Sequence, residues 1–91
     1  MHIDFYTKIK TSTLVIGGEM YYVEIHKTEH DSLIVYQIYT PNQTIIFFTF
    51  KDVKSGALRE KCKNWVPAID KLNDRDYQVF IEKFRKEFGE K

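Results

Sequence analysis

The spacing of the apolar residues changes near residue 53, and this change limits the chain to one class of fold. Before it, runs rich in β-branched and aromatic residues alternate with short turn-forming clusters, which is typical of an antiparallel meander. After it, apolar residues recur every three or four positions, as on one face of a helix. Ninety-one residues are enough for one core. We therefore predict a single α+β domain over residues 1–91, with a meander of four to five strands in 1–53 and two helices in 54–91 that pack on one sheet face.

Three turn-forming clusters set the register of the predicted strands. Gly17-Gly18 suits a two-residue hairpin loop, because both positions tolerate positive φ. Residues 30–31 form the next loop, and residues 41–43 form a three-residue loop. These registers agree with one another, since residues directly opposite in an antiparallel pair point to the same face. Together they place one apolar set on an inner face: Tyr21, Val23, Ile25, Ile34, Tyr36, Ile38, Ile46, Phe48 and Phe50.

The first strand fits this register less well. Continuing the pairing back from the glycine turn puts Lys10 on the inner face beside Ile25. A β-bulge adds one residue to a strand and reverses which face the following side chains occupy. We therefore predict a bulge or a break at residues 11–13, which would return Phe5 and Ile9 to the core.

The first helix is predicted from an apolar stripe that an internal proline interrupts. Pro67 cannot donate a backbone hydrogen bond, and the residue before it avoids helical angles. The helix should therefore end near Trp65. Its stripe consists of Leu58, Cys62, Trp65, Ile69 and Leu72.

The last helix carries the clearest helical pattern in the chain. Asn73 is a suitable N-cap, and Asp74 and Asp76 fall in the first turn, where negative charge is favourable. One face is strongly aromatic and suits a helix that covers one side of a sheet. This stripe consists of Tyr77, Phe80, Ile81, Phe84 and Phe88.

The other face of the predicted sheet is more apolar than a solvent-facing surface. The run "TIIFFTF" at residues 44–50 shows this, because a half-exposed strand alternates apolar and polar residues. Exposed patches of this kind mark homodimer or partner interfaces. Alternatively, the first helix or the N-terminal strand folds over the face, or the sheet closes into a small barrel. The candidate partner-binding residues on this face are Tyr22, Val35, Tyr39, Ile45 and Phe47.

The charges are nearly balanced overall but uneven along the chain. Fourteen basic and thirteen acidic side chains give no global field that would attract nucleic acid or anionic lipid. Basic residues are concentrated in the segment 51–63, and the sheet aromatics could stack on bases. This supports an alternative function, a module that binds single-stranded nucleic acid. Its candidate residues are Lys51, Lys54, Arg59, Lys61 and Lys63.

Residues for catalysis or metal binding are few. Cys62 lies on an apolar helix stripe, where a buried structural thiol is expected. The histidines near the second turn, His26 and His30, have only neighbouring carboxylates as further ligands, and an exposed polar turn explains them without a metal. The chain also contains no nucleophile-elbow, zinc-protease, P-loop or dinucleotide-binding motif. We predict no enzyme activity, no cofactor, no metal site and no small-molecule substrate.

The remaining features indicate a cytoplasmic protein that is not in a membrane. A single cysteine cannot form an internal disulfide, and the opening residues lack the apolar core of a signal peptide or the length of a membrane span. The sequence therefore predicts a small non-catalytic interaction protein. It would bind a protein partner through the outer sheet face, as an accessory protein, an inhibitor or an assembly subunit, or it would form a homodimer.

Overall fold

The computed structural model describes residues 6–29 and 31–88 and shows a sheet followed by helices. The strands are β1 (Tyr6–Ile16), β2 (Glu19–Thr28), β3 (Ile34–Tyr39) and β4 (Ile45–Phe48), and the helices are α1 (Phe50–Ser55), α2 (Ala57–Cys62), α3 (Pro67–Asp70) and α4 (Asp74–Phe88). The strands form one antiparallel sheet in the order β1-β2-β3-β4. The α+β meander is confirmed, and the helical half is divided into four segments.

The strand register follows the predicted turns. Ile16 pairs with Glu19 across the two glycines, whose φ values of 57° and 85° lie in the left-handed region. In the next pair Tyr22 lies opposite Tyr39, and in the third Tyr39 lies opposite Ile45, both as predicted. His30, in the second turn, lies outside the described residues. The predicted inner face is buried except for Ile34, which is partly buried.

The predicted bulge in β1 lies in a different place. The register shifts between Lys8 and Lys10, not at residues 11–13, and Lys10 lies opposite Ile25. Ile9 is therefore 54% exposed instead of buried, and Phe5 lies outside the described residues. The physical reason is that β1 is an edge strand, so an inward-facing lysine can extend sideways into solvent.

The first helix begins at Phe50, earlier than the change of spacing near residue 53 predicts. Thr49 and Asp52 form a capping box: the Asp52 amide donates to Thr49 Oγ1 at 3.4 Å, and the Thr49 amide donates to Asp52 Oδ2 at 2.9 Å. Phe50 still lies in the core, but on a helix and not on a strand. Gly56 adopts a left-handed conformation with φ of 87° and separates α1 from α2.

The position of Trp65 differs from the prediction. Helix α2 ends at Cys62, and Trp65 lies in the following turn with 42% of its surface exposed. Asn64 has a positive φ of 73°, which ends the helical path before the proline is reached. Pro67 then starts α3 at a position where its missing N–H costs nothing.

The core lies between the inner sheet face and the helices. Asn73 caps α4 as predicted, since its Oδ1 accepts from the Asp76 amide at 2.7 Å. Phe84 is 1% exposed, and its ring centroid lies 5.0 Å from that of Tyr36 and 5.8 Å from that of Phe50. The buried helix side chains belong to the same cluster as the inner strand residues. The helices therefore pack on the inner face of the sheet.

Candidate protein-docking face

The outer sheet face is defined by side chains that alternate with the core residues along each strand. Cross-strand pairing places Thr13, Tyr22, Tyr39 and Ile45 in one row across the sheet. In the next row Phe47 lies beside Gln37. The two rows are neighbours, two residues apart along each strand, so they form one continuous surface.

Large apolar side chains on this face are exposed. The exposed fractions are 72% for Met20, 43% for Tyr22, 41% for Ile45, 46% for Phe47 and 55% for Val15. Contiguous apolar surface of this kind is uncommon on monomeric proteins. The face therefore has the composition of a docking surface.

The five predicted partner-binding residues all lie on the outer face, but they differ in access. Tyr22, Ile45 and Phe47 are exposed, whereas Tyr39 is partly buried. Val35 is only 6% exposed, because it lies on a central strand between longer side chains. Val35 therefore forms the floor of the surface, and the other four form its accessible part.

Two residues extend this surface beyond the predicted set. Val15 and Met20 face each other across the β1–β2 hairpin on the outer side. The register set by the glycine turn indicates this position for Val15, because Val15 alternates with the buried Leu14 and Ile16. They enlarge the apolar area at the hairpin end of the sheet.

Glu24 forms the polar centre of the face. Its Oε1 lies 3.0 Å from His26 Nε2, and its Oε2 accepts a hydrogen bond from the Tyr22 hydroxyl at 3.3 Å. Lys8 Nζ lies 3.8 Å from Oε2. The hydrogen bond from His26 is the main reason why the pKa of Glu24 lies below its ordinary value; partial burial opposes it, while Tyr39, Lys8 and Tyr22 add to it. The carboxylate therefore stays ionised in the middle of an aromatic surface.

Tyr22 and Tyr39 are held in place by each other and by this carboxylate. Their ring centroids are 5.2 Å apart, with the planes tilted by 40°. Burial raises the pKa of Tyr39, and its hydrogen bond to Glu24 adds to the effect. Because the two rings and the carboxylate constrain one another, docking on this part of the face would cost little additional side-chain entropy.

The outer face is not covered within the part of the chain that the structure describes. All four helices lie on the inner side, and β1 extends the sheet as an edge strand instead of folding over it. Within residues 6–29 and 31–88, β1 and β4 do not pair, so the sheet does not close into a barrel. The two alternatives that would cover the face are therefore not realised by the described residues.

The basic segment is divided between solvent and internal contacts. Lys51 and Lys63 are exposed, and Lys54 is exposed with its Nζ 5.1 Å from the ring centroid of Phe50. Arg59 and Lys61 instead make contacts within the chain. The five residues therefore do not act as one set of free cations.

Arg59 and Lys61 connect parts of the fold. Arg59 donates from Nη1 to Asp74 Oδ1 at 3.0 Å and lies over the ring of Tyr77, 4.2 Å from its centroid. Lys61 Nζ donates to the Phe47 carbonyl and to Asp52 Oδ2, both at 3.1 Å. Burial opposes ionisation of Asp52, but the Thr49 backbone and Lys61 outweigh it and lower its pKa. Both cations have roles in the structure.

Cys62 is fully buried in the core. Burial raises the pKa of its thiol to about 12, and the neighbouring Asp70 adds to the shift. A thiol in this setting is protonated at neutral pH and out of reach of a substrate. Its position agrees with the structural role that the sequence predicts.

Metal binding and membrane insertion are two further possibilities for the described residues. Over these residues, no three histidine, cysteine or carboxylate side chains are grouped so that they could hold a metal ion. Of the helices described, none is long and apolar enough to cross a membrane. The predicted cytoplasmic location stays a prediction.

Comparisons with protein-family models, curated proteins and solved structures found no match.

Proposed function

We propose that this chain is a non-catalytic protein-interaction domain that docks through its outer sheet face. The observation that carries the proposal is the exposure of Met20, Tyr22, Ile45 and Phe47 on one side of the sheet, opposite the side that the helices cover. Burying these side chains against another apolar surface contributes about 25 cal/mol for each Å² removed from water, and the part that exceeds the entropy lost on association stabilises the complex. Aromatic residues in such a surface are the usual anchors of protein interfaces.

A second copy of the chain is the occupant that the chemistry of the face favours. When two identical faces dock about a two-fold axis, a charge near the axis lies close to its own copy, so an unpaired charge there would repel. On this face Lys8 and Glu24 carry opposite charges and already lie 3.8 Å apart. Two faces can therefore meet without bringing together a large net charge.

The expected arrangement is a sandwich of two sheets. Sheets packed face to face lie about 10 Å apart, with strand directions about 30° from each other. Tyr22, Ile45 and Phe47 would interdigitate at the centre of the contact, and the partly buried Tyr39 would support them. The helices of the two copies would lie on the outsides.

The proposal of a non-catalytic role is supported by the position of the strongest candidate nucleophile. Cys62, the last residue of α2, is buried and has a raised pKa, so it lacks the thiolate character and the access that nucleophilic catalysis requires. The ionised Glu24 uses both carboxylate oxygens in contacts with Tyr22 and His26 on the open sheet face.

A soluble gadolinium chelate tests the proposal by mapping the contact. The chelate broadens the NMR signals of exposed side chains, so at low protein concentration it should broaden those of Tyr22, Ile45 and Phe47. At high concentration we expect these signals to be protected. Trp65 is a matched control, because it has 42% exposure and lies away from the sheet face. Equal broadening of the face and of Trp65 at every concentration would contradict self-association.

A further inference from the structure

The free edge of β1 presents backbone groups that a further strand could pair with. β1 is eleven residues long, and among the described residues only β2 pairs with it. The two-residue loop makes Ile16 and Glu19 a hydrogen-bonded pair. Hydrogen-bonded and non-hydrogen-bonded pairs alternate along an antiparallel strand, so the backbone groups of Ile16 and of every second residue before it point toward β2. The N–H and C=O groups of Thr11, Thr13 and Val15 consequently point away from the sheet. The Thr13 carbonyl also accepts a long contact of 3.4 Å from the Ser12 hydroxyl.

One half of this edge lacks the features that keep edge strands from pairing. Lysines and bulges are common protective devices, and β1 has both near its start, at Lys8, Lys10 and the bulge between them. The following segment, residues 11–16, has the sequence TSTLVI, without a charge or a proline. An uncharged edge with strong β propensity is a ready template for an additional strand.

A groove lies beside this half of the edge. Its volume is about 490 Å³, and it separates β1 from α4. Leu14, Phe80 and Phe84 supply an apolar floor, and Lys83 and Lys86 lie at the rim with Glu87. A second groove of about 310 Å³ lies between Val15, the glycine turn and Val79. The free edge and the groove therefore run side by side.

The charged residues around this groove favour one kind of occupant over another. The groove is lined by Lys83 and Lys86 with one carboxylate, Glu87, and Lys10 lies further along the same edge on the helix side. A second copy of β1 would bring Lys8 and Lys10 and no carboxylate, because β1 contains no acidic residue. A segment with carboxylates would complement the lysines instead.

We propose that the groove between β1 and α4 binds an extended acidic peptide segment of another protein. The peptide backbone pairs with Thr11, Thr13 and Val15 as an added strand, an apolar side chain enters the groove over Leu14 and Phe84, and flanking carboxylates meet Lys83 and Lys86. The side chains of Thr13 and Val15 lie on the outer face, but this site uses their backbone groups at the edge of β1, and the Lys83 and Lys86 variants below leave the outer face unchanged. Either proposal can therefore fail without the other.

The experiment uses two labelled peptides of about eight residues, one with a central leucine flanked by glutamates and one with lysines in their place. Fluorescence anisotropy should show binding of the glutamate peptide at least about tenfold tighter than that of the lysine peptide. The double variant Lys83→Glu, Lys86→Glu should reverse this preference. Lys63→Glu is the matched control, since it changes an exposed lysine away from the groove and should leave binding unchanged.

Amide hydrogen exchange separates strand addition from simple charge attraction. The glutamate peptide should slow exchange at Thr11, Thr13 and Val15 and leave Ser12 and Leu14 unchanged, because those two amides already face β2. Thr13→Pro removes one outward donor and should abolish binding; if it fails to fold, the exchange pattern of the wild-type chain still decides. Equal affinity for both peptides, or binding without slower exchange at the three outward amides, would overturn the proposal. Concentration-dependent protection of the same amides without peptide would overturn it in favour of a second copy.

Discussion

Gly17 lies directly against Ala68: a Cβ atom on residue 17 would be 2.8 Å from the Ala68 carbonyl oxygen. This contact holds the β1–β2 turn against α3, so the turn is part of the packed structure and not a free loop. Its neighbour Gly18 also has a positive φ, but a Cβ there would meet open space. Both glycines therefore adopt a positive φ, but only Gly17 packs closely against another part of the chain.

Gly17→Ala should destabilise the chain more than Gly18→Ala. Both changes place a side chain at positive φ, which costs about 1–2 kcal/mol. Gly17→Ala adds a clash with the backbone of α3, for which a further 1–3 kcal/mol is typical. Denaturant unfolding of both variants measures the difference. Equal losses of stability would show that α3 moves away at little cost.

Phe84→Ala should lower the free energy of unfolding by about 3–5 kcal/mol, because it leaves a cavity where five other aromatic rings meet. Phe88→Ala is the control on the same helix, since Phe88 is only partly buried and should cost less. Urea unfolding measures both variants. A loss below about 1 kcal/mol for Phe84→Ala would mean that α4 is peripheral to the stability of the domain.

Cys62 should make the chain less stable as the pH rises above about 8.5, the pKa of an unfolded thiol. Burial raises the folded pKa to about 12, so between these values the unfolded chain loses the proton while the folded chain keeps it. The unfolded state then binds fewer protons, and stability falls with pH. Tyr77, whose pKa burial also raises to about 12, acts in the same direction only above about pH 10.

The variant Cys62→Ala isolates this contribution. Between about pH 8 and pH 9.5, the unfolding free energy of the wild-type chain should fall more steeply than that of the variant. A thiol reagent should label the native chain slowly and the unfolded chain fast. Parallel pH profiles together with fast native labelling would show that the thiol is accessible.

The sequence predicts the sheet well because its registers constrain each other. A slip of one residue at any turn would move Val23 or Ile38 to the outer face, so only one combination keeps the apolar set together. The bulge is misplaced because alternation alone does not reveal that Lys10 lies at an edge, where it can reach solvent. Thr49 and Asp52 have the spacing of a capping box, but the apolar run before them favours a strand through Phe50.

The candidate face is predictable in outline and not in detail. Tyr22, Glu24 and His26 are spaced two apart, so their common face follows from the strand period. Glu24 also contacts Tyr22, Tyr39 and His26. These contacts depend on rotamers and cross-strand distances, which cannot be derived from the period of the strand. The contacts of Arg59 and Lys61 join elements distant in sequence, and for this reason charge counts overstate the free basic surface.

A labelled single-stranded oligonucleotide should show no binding at physiological salt. Arg59 and Lys61 already contact Asp74 and Asp52, and the formal net charge is only +1. Fluorescence anisotropy at low and high salt provides the measurement. Tight binding with a log-log salt slope of about −3, lost on reversing the charges of Lys54 and Lys63, would instead support the nucleic-acid alternative.

Sedimentation equilibrium of the wild-type chain and of Phe47→Glu tests the docking face most directly. We expect the wild type to form a dimer that dissociates on dilution, and Phe47→Glu to be monomeric with nearly unchanged stability, because Phe47 is 46% exposed. Trp65→Glu introduces the same charge at similar exposure away from the face and should still form the dimer. A wild-type chain that is monomeric at every concentration, or a Phe47→Glu variant that still dimerises, would contradict the account.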